Sequence, residues 1–143
     1  MKKKTIIRTN TSDIMKYMRV QKDPFRSISN LLVIEINDAL PQSTSKIYYS
    51  FPVWFIKENP IVGFKVTKND VNLLFWSGKS FGEPDLIPVG KYKAAQIKYW
   101  NIKEMKKIDI RRWLKKSKSI IWDYKNIRDN EGRLLRIKSK KSD

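Results

Sequence analysis

The sequence predicts an α+β fold in which helices pack against an antiparallel sheet. The central stretch from Ile47 to Gly78 contains two of the five Trp, four of the six Phe and two of the six Tyr residues. Within it, Val62, Phe64 and Val66 alternate with small or polar residues, and this period of two is typical of half-buried strands. Segments with apolar residues at helical spacing lie on both sides of the stretch.

Length and composition are those of one globular domain. The chain has 143 residues, and 41% of them are hydrophobic, which is enough to build a core. It has no cysteine, so disulfides and thiolate metal sites are excluded. No run approaches the roughly 18 apolar residues that a membrane-spanning helix needs, and Met1–Lys4 leads into no signal-peptide core. We therefore expect a cytoplasmic protein with no membrane partner.

Two helices are predicted before the sheet, after a basic N-terminal arm formed by residues 1–10. A short helix over Ile14–Val20 follows potential capping residues at positions 11–13. Asp23-Pro24 is predicted to start a longer helix, because a capping carboxylate followed by proline is typical of a first turn. Its broad apolar face, typical of a helix on a sheet, ends at Pro41 because the residue before a proline leaves the α region.

The sheet is predicted to begin as a meander of short strands. Phe51-Pro52 is expected to interrupt pairing, because proline lacks the N–H donor that a strand ladder uses. Lys68–Asp70 is a predicted hairpin loop, and residues 78–90 are a loop rich in Gly and Pro. The predicted strands cover residues 46–50, 53–57, 61–67, 71–77 and 91–99.

A final helix is predicted to start near Asp109, with Ile108 packing as a hydrophobic staple. Its apolar face runs from Ile110 to Tyr124, and basic residues fill the opposite face. After Tyr124 the apolar period fades, so residues 125–143 are predicted to be a basic, disordered tail. The single domain is therefore expected to cover residues 11–124.

Several motifs resemble the YdhG-like family of small bacterial domains, most of which have no known function. The similarity covers about residues 12–124. YYSFPVWF is similar to the family's Tyr-Gly-Met-Pro-x-Phe turn, except that Ser50 and Phe51 stand where the family commonly has Gly-Met. The other motifs are SDIMKYM, the long helix that ends at Pro41, IVGFKVTKNDVNLLFWSG, VGKYKAAQIKY and the helix after Ile108.

The resemblance implies an antiparallel sheet of about five strands with helices packed on one face. It implies little chemistry, because no common catalytic set is established for the family. One branch is described as a frataxin-like iron chaperone, but iron sites of that type need clustered oxygen ligands. Only Glu83 and Asp85 are close together in this sequence, and a strongly basic surface suits cations poorly. We therefore expect no metal site and no cofactor.

The net charge is the outlier of the composition. The 31 Lys and Arg residues against 14 Asp and Glu give +17. Residues 2–4 contribute +3 and residues 125–143 contribute +4, which leaves +10 for residues 5–124. Such a chain attracts polyanions. The alternative is that the charge reflects genome composition, since Lys (23) far exceeds Arg (8) and only Arg has the planar fork that reads phosphates and guanines.

The sequence contains no recognisable catalytic constellation. It has no His to act as an imidazole base and no Cys to act as a thiolate nucleophile. Its five glycines are spread along the chain and form no phosphate-binding loop. Glu83 and Asp85 are expected to be a solvated pair in a turn. We therefore predict a binding module that is not an enzyme.

Nucleic acid or another polyanion is the first predicted partner. Arg111, Lys115 and Lys118 lie on the basic side of the predicted final helix, and Trp122 follows at i+4 from Lys118. A tryptophan among basic residues can stack on a nucleobase. In the alternative interpretation Trp122 covers the edge of the core, as large aromatic side chains usually do.

The second predicted partner is a small anionic ligand, or a protein, at the aromatic bend around Phe51-Pro52. The aromatic candidates are Tyr49, Phe51, Trp54 and Trp76, and the candidates for holding an anionic group are Lys79 and Lys91. Here the alternative is that these aromatic residues are core that covers one face of the sheet. Repulsion between like charges favours a monomer or a weak oligomer.

Overall fold

The structure, a computed structural model, describes residues 11–137. Within this range there are three α-helices, α1 (Thr11–Arg19), α2 (Phe25–Ala39) and α3 (Lys107–Ser117). The strands of the same range are β1 (Thr44–Tyr48), β2 (Phe51–Ile56), β3 (Asn59–Val66), β4 (Val71–Phe75), β5 (Ile87–Pro88), β6 (Ala95–Tyr99), β7 (Ile121–Trp122) and β8 (Arg136–Ile137). The predicted basic arm, residues 1–10, lies outside the described residues.

Six of the strands in residues 11–137 form one antiparallel sheet in the order β1-β2-β3-β4-β6-β5. The α+β class is therefore confirmed, and β1 to β4 form the predicted meander. β5 lies inside the predicted loop 78–90 and pairs with β6, which adds a sixth strand. β6 itself is shorter than predicted and begins at Ala95.

The turn between β1 and β2 lies earlier in the chain than predicted. Tyr49 and Ser50 form it, with positive φ values of 53° and 74°. Positive φ at both central residues is the signature of a type I′ turn, which matches the twist of paired strands. The predicted interruption at Phe51-Pro52 is wrong, because Pro52 pairs with Ile47 of β1. The ladder with β3 begins only at Val53, so the missing N–H of Pro52 lies outside that ladder.

Helices α2 and α3 pack on one face of the sheet and enclose the main core. Trp54, Phe64 and Trp113 are among its largest side chains, and each is at most 1% exposed. Arg111 of α3 ties the two helices together, because its Nε and Nη2 donate to the Glu35 carboxylate of α2 at 2.8 and 3.0 Å.

The opposite face of the sheet carries a smaller aromatic cluster. Side chains alternate along a strand, so Phe51 and Val53 point away from the face that Trp54 covers. Tyr48 and Tyr124 pack against this cluster from outside. Its buried members are Phe51, Val53, Phe55 and Trp76. This second face positions the candidate site described below.

Helix α3 ends at Ser117, well before the predicted end at Tyr124. The Ser117 hydroxyl donates to the Leu114 carbonyl at 2.6 Å, and such local bonds compete with continuation of a helix. Ile121 and Trp122 then form β7, which pairs with β8. The predicted helical position of Trp122 is therefore wrong, since a β-branched and an aromatic residue in succession favour a strand.

Residues 125–137 are placed against the domain, which differs from the predicted disordered tail. The Lys125 N–H donates to Asn59 Oδ1 at 2.7 Å, and the Asp123 N–H donates to the Leu135 carbonyl at 2.7 Å. Residues 138–143, the rest of the predicted tail, lie outside the described residues. No helix between residues 11 and 137 is long and apolar enough to cross a membrane.

Candidate functional site

A cleft of about 570 Å³ opens between the β1–β2 turn and the segment that follows β7. Tyr48, Tyr49, Tyr92 and Tyr124 line it together with Trp76, and we name it the tyrosine cleft. Its volume lies within the range of pockets that bind small molecules. The two walls come from distant parts of the chain, and each is held in a different way.

The first wall is the end of the sheet. The ring centroids of Tyr48 and Tyr49 are 4.5 Å apart, and Tyr48 is 6.5 Å from Trp76. Tyr49 is 71% exposed, whereas Trp76 is only 8% exposed. Burial raises the pKa of Tyr48, and the side chain of Tyr49 adds to the rise, so Tyr48 is a neutral phenol at pH 7. The wall is therefore an apolar surface of three rings with polar edges.

Tyr124 connects the second wall to the first by a hydrogen bond. Its hydroxyl donates to the Trp76 carbonyl at 2.6 Å and accepts from the Lys93 N–H at 3.1 Å. Burial raises the pKa of Tyr124 although the hydrogen bond from Lys93 opposes the rise, so the phenol keeps its proton at pH 7. The Tyr124 ring meets that of Tyr92 edge-on, with centroids 6.2 Å apart. These contacts fix the spacing of the two walls.

Charged residues line the second wall, and the positive ones are in excess. Lys125 and Arg128 lie in the cleft with one carboxylate, Asp129. Lys125 is paired with Glu58 at 3.3 Å, whereas Arg128 has no ion pair within residues 11–137. Aromatic rings beside an unpaired guanidinium can bind a flat group and an anionic group at the same time.

The structure is similar to the crystal structure of YdhG, a protein of the DUF1801 family from Bacillus subtilis. The sequences are 18% identical, the TM-score is 0.56, and the match covers 83% of this chain and 92% of that chain. The two proteins share a fold. No family model and no curated protein sequence matches this chain. At this identity the likeness concerns the YdhG-type fold and carries no function to this chain.

Within this YdhG-type fold, two of the six predicted ligand-binding residues line the cleft, Tyr49 and Trp76. Phe51 lies behind Trp76, with ring centroids 6.3 Å apart, and contributes to the buried cluster. Trp54 lies in the main core, where its Nε1 donates to Asn37 Oδ1 at 2.9 Å. A fully buried tryptophan on the helix-covered face cannot reach the cleft.

The two predicted lysines are exposed and do not themselves line the cleft. Lys91 lies at its margin, where its Nζ is 5.2 Å from the ring centroid of Tyr92. Lys79 lies in the turn after β4, and its N–H donates to the Lys93 carbonyl at 2.8 Å. The Nζ of Lys91 is therefore close to a ring that lines the cleft.

Of the predicted nucleic-acid-binding residues, Arg111, Lys115 and Lys118 lie on or at the end of α3, whereas Trp122 lies in β7. Arg111 is paired with Glu35 and remains exposed, and Lys115 and Lys118 are exposed at the end of α3 without an ion pair within residues 11–137. Trp122 is half-buried, its Nε1 donates to Ser80 Oγ at 3.0 Å, and Lys93 Nζ lies 4.6 Å from its ring. The Trp122 side chain therefore contacts the loop after β4.

Sequence reasoning missed most of the lining residues. Tyr48 adjoins a predicted candidate and could have been included by proximity in the chain. Tyr92, Tyr124 and Arg128 had no local signal, because the segments that carry them were predicted as a strand, a helix end and a disordered tail. Only long-range contacts such as that between Tyr124 and Trp76, 48 positions apart, bring them together.

The predicted solvated pair of Glu83 and Asp85 is wrong for Glu83. The Glu83 side chain is only 6% exposed and accepts hydrogen bonds from Arg112, Trp113 and Lys116 of α3. No group of three or more acidic side chains within residues 11–137 has the arrangement that could hold a metal ion.

Proposed function

We propose that this domain binds a flat, negatively charged small molecule in the tyrosine cleft, and that nucleotides are the class to which this ligand belongs. The observation that supports it best is the exposed ring of Tyr49, which lines the same cleft as the guanidinium of Arg128, a group with no ion pair among residues 11–137. Every nucleobase has a π-face that stacks on aromatic rings, and a phosphate accepts two hydrogen bonds from a guanidinium.

Each lining group has a distinct part in this proposal. Tyr49 stacks on the base, and the more deeply buried Trp76 closes the floor. Arg128 holds the phosphate, with Lys91 at the margin as a second positive charge. Asp129 repels phosphate but accepts hydrogen bonds from an exocyclic amino group, which favours adenine or cytosine over uracil.

The proposed activity is binding and not catalysis. The chain has no His and no Cys, and burial raises the pKa values of Tyr48 and Tyr124, so both phenols stay protonated at pH 7 and do not act there as phenolate bases. The phenolic hydroxyl of Tyr124 is already engaged with two backbone groups. The residues of the cleft are suited to hold a ligand.

The test is calorimetric titration of the protein with AMP and with adenosine. Substituting Tyr49→Ala removes the stacking ring and is expected to weaken AMP binding by about 1–3 kcal/mol, the value of one stacked base. Arg128→Gln is expected to weaken AMP binding but to leave adenosine binding nearly unchanged. Trp100→Ala is the matched control, because Trp100 is also exposed but does not line the cleft.

Absence of AMP binding at millimolar concentration contradicts the proposal, as does a loss of affinity that is equal in Tyr49→Ala and Trp100→Ala. A single-stranded oligonucleotide that binds when AMP does not would favour the polyanion hypothesis, for which the exposed Lys115 and Lys118 are the candidates. Affinity for such a polyanion must fall steeply with salt.

A further inference from the structure

A second, smaller pocket of about 150 Å³ lies between β6 and α3, and its lining residues are distinct from those of the tyrosine cleft. Three carboxylates line it: Asp85 from the loop before β5, Glu104 from the turn after β6, and Asp109 from α3. Lys106 is the one basic residue among those that line it. On a chain with a net charge of +17, a pocket lined by an excess of negative charge is unusual.

A tyrosine that is largely buried as a residue lines the pocket together with these carboxylates. Tyr99 of β6 lines the pocket, is 2% exposed, and its hydroxyl makes no hydrogen bond to a residue within the described range. Burial raises the pKa of Tyr99 strongly, and the charges of Asp109, Asp85 and Glu104 raise it further. Within residues 11–137 the one fully buried side-chain polar atom without a hydrogen bond is Asn72 Oδ1, so the Tyr99 hydroxyl keeps some exposed surface at the pocket. It is available to a ligand that enters the pocket.

The three carboxylates differ in how many hydrogen bonds and ion pairs they already make. Glu104 Oε1 accepts from the N–H groups of Trp100 and Asn101 at 2.6 and 3.1 Å, and Asp109 Oδ1 accepts from Arg112 at 2.9 Å. Asp85 is exposed and has no ion pair within residues 11–137. Asp85 is therefore the carboxylate with most capacity for an incoming cation, and Tyr99 supplies an oxygen acceptor beside it.

The chemistry favours an organic ammonium group. The three carboxylates do not have the arrangement of a metal site, as noted above for the described residues. An ammonium group donates three hydrogen bonds that can reach separate acceptors, and the aromatic residues Tyr99 and Trp113 line the same pocket. A volume of about 150 Å³ is that of a cavity that holds benzene, which limits the occupant to a short alkyl chain with its ammonium end.

We infer that this pocket, between Asp85, Tyr99 and Asp109, is a binding site for the ammonium end of an alkylamine. Two kinds of molecule carry such an alkylammonium group: a free diamine and the lysine side chain of another protein. Lys106 lines the same pocket. In the alternative interpretation, its own ammonium group pairs with the carboxylates and no ligand binds there.

The test is a titration of the whole protein, followed by NMR chemical shifts and by calorimetry. The probes are 1,5-diaminopentane and a lysine derivative with both its α-amino and its carboxyl group blocked. Asp85→Asn and Tyr99→Phe are expected to weaken binding of the better probe by about tenfold each, as for the loss of one hydrogen bond to a charged group. Asp13→Asn, which removes the same charge from an exposed site on α1, is the matched control.

Saturable binding that is weakened in both variants but not in the control supports the inference, and the better probe identifies the source. Shifts that do not saturate at millimolar concentration for either probe overturn it, and so does an equal effect of Asp13→Asn and Asp85→Asn. Tyr99→Phe keeps the buried ring, and a melting temperature measured alongside shows whether it folds. If it does not, Asp85→Asn alone decides between the outcomes, because Asp85 is exposed.

Discussion

Glu83 holds the loop after β4 onto α3. Its two carboxylate oxygens accept hydrogen bonds from Arg112 at 2.9 Å each, from Trp113 Nε1 at 2.9 Å and from Lys116 Nζ at 2.6 Å. The hydrogen bonds from Arg112 are the main reason that the pKa of Glu83 lies far below its ordinary value, with Lys116 and Trp113 contributing and burial opposing. The ionised form is therefore strongly favoured in the folded protein.

Glu83→Gln is expected to destabilise the protein by about 1–3 kcal/mol at pH 7, because hydrogen bonds to charged groups are lost from a buried acceptor. Because the pKa of Glu83 is lower in the folded protein than in the unfolded chain, where it is about 4.3, its ionised form stabilises the fold fully at pH values above 4.3. This stabilisation is lost progressively as the pH falls from there towards the pKa of the folded protein. The difference between wild type and Glu83→Gln should therefore shrink from pH 7 to pH 3. Urea unfolding at the two pH values measures it.

Asp13→Asn serves as the control for Glu83→Gln, since Asp13 is exposed on α1. A difference between wild type and Glu83→Gln that stays constant from pH 7 to pH 3 would contradict the role given to the ionised carboxylate. No sequence pattern could have shown this role, because Glu83 and its partners lie 29 to 33 positions apart in the chain. Proximity to Asp85 pointed to the wrong partner.

At the scale of elements, the two turns that flank β2 have residues in unusual conformations. Tyr49 and Ser50 have positive φ before the strand, and Lys57 and Glu58 have positive φ after it. Residues with a Cβ adopt this region at a cost, and only glycine adopts it freely. The YdhG-like motif commonly has Gly at the position of Ser50. Because φ there is 74°, glycine fits this position without the steric cost of a side chain.

Ser50→Gly is expected to stabilise the domain by about 0.5 kcal/mol. Relief of the left-handed conformation is worth about 1 kcal/mol, and the greater freedom of glycine in the unfolded chain offsets part of it. The midpoint of urea unfolding, with an unchanged slope, measures the gain. Ser12→Gly in α1 is the contrasting control, where glycine should destabilise because it is a poor helix former. A loss of stability in Ser50→Gly would show that the positive φ of Ser50 does not destabilise the folded protein.

The elements that could be predicted from the sequence are those with a strong local period. The amphipathic face of α2 and the alternation in β3 and β4 predicted their type and approximate bounds. Strand β5 and the β7–β8 pair could not be predicted, because two-residue strands show no period. The end of α3 could not be predicted either. They depend on distant contacts, such as the hydrogen bond from the Trp122 N–H to Ser77 Oγ across 45 positions.

At the scale of the whole molecule, local ion pairs leave the net charge of +17 unchanged. Glu35 and Glu83 are buried against arginines, so their charges are compensated locally. Many lysines remain exposed, and their mutual repulsion opposes the folded state. The sequence predicted the size of this charge but not its distribution, since the pairing of each acid depends on the fold.

Raising NaCl from low to physiological concentration is expected to stabilise the protein by about 1 kcal/mol, or roughly 3 °C in melting temperature, because salt screens repulsion between exposed lysines. Replacing five exposed lysines by Gln lowers the net charge from +17 to +12 and should reduce the shift. These are Lys16, Lys22, Lys65, Lys98 and Lys103. Thermal melts followed by circular dichroism measure both; a melting temperature that falls with salt contradicts the expectation.

The two-walled build of the tyrosine cleft also has a consequence for the order of events during protein synthesis. The ribosome adds Tyr48, Tyr49 and Trp76 long before Tyr124 and Arg128, so the strands of the meander can pair while the second wall has not been made. A nascent chain or a fragment that stops before Tyr124 would have the sheet but no cleft. The capacity to bind in the cleft is therefore a late property of the growing chain, acquired only after the sheet that supports it.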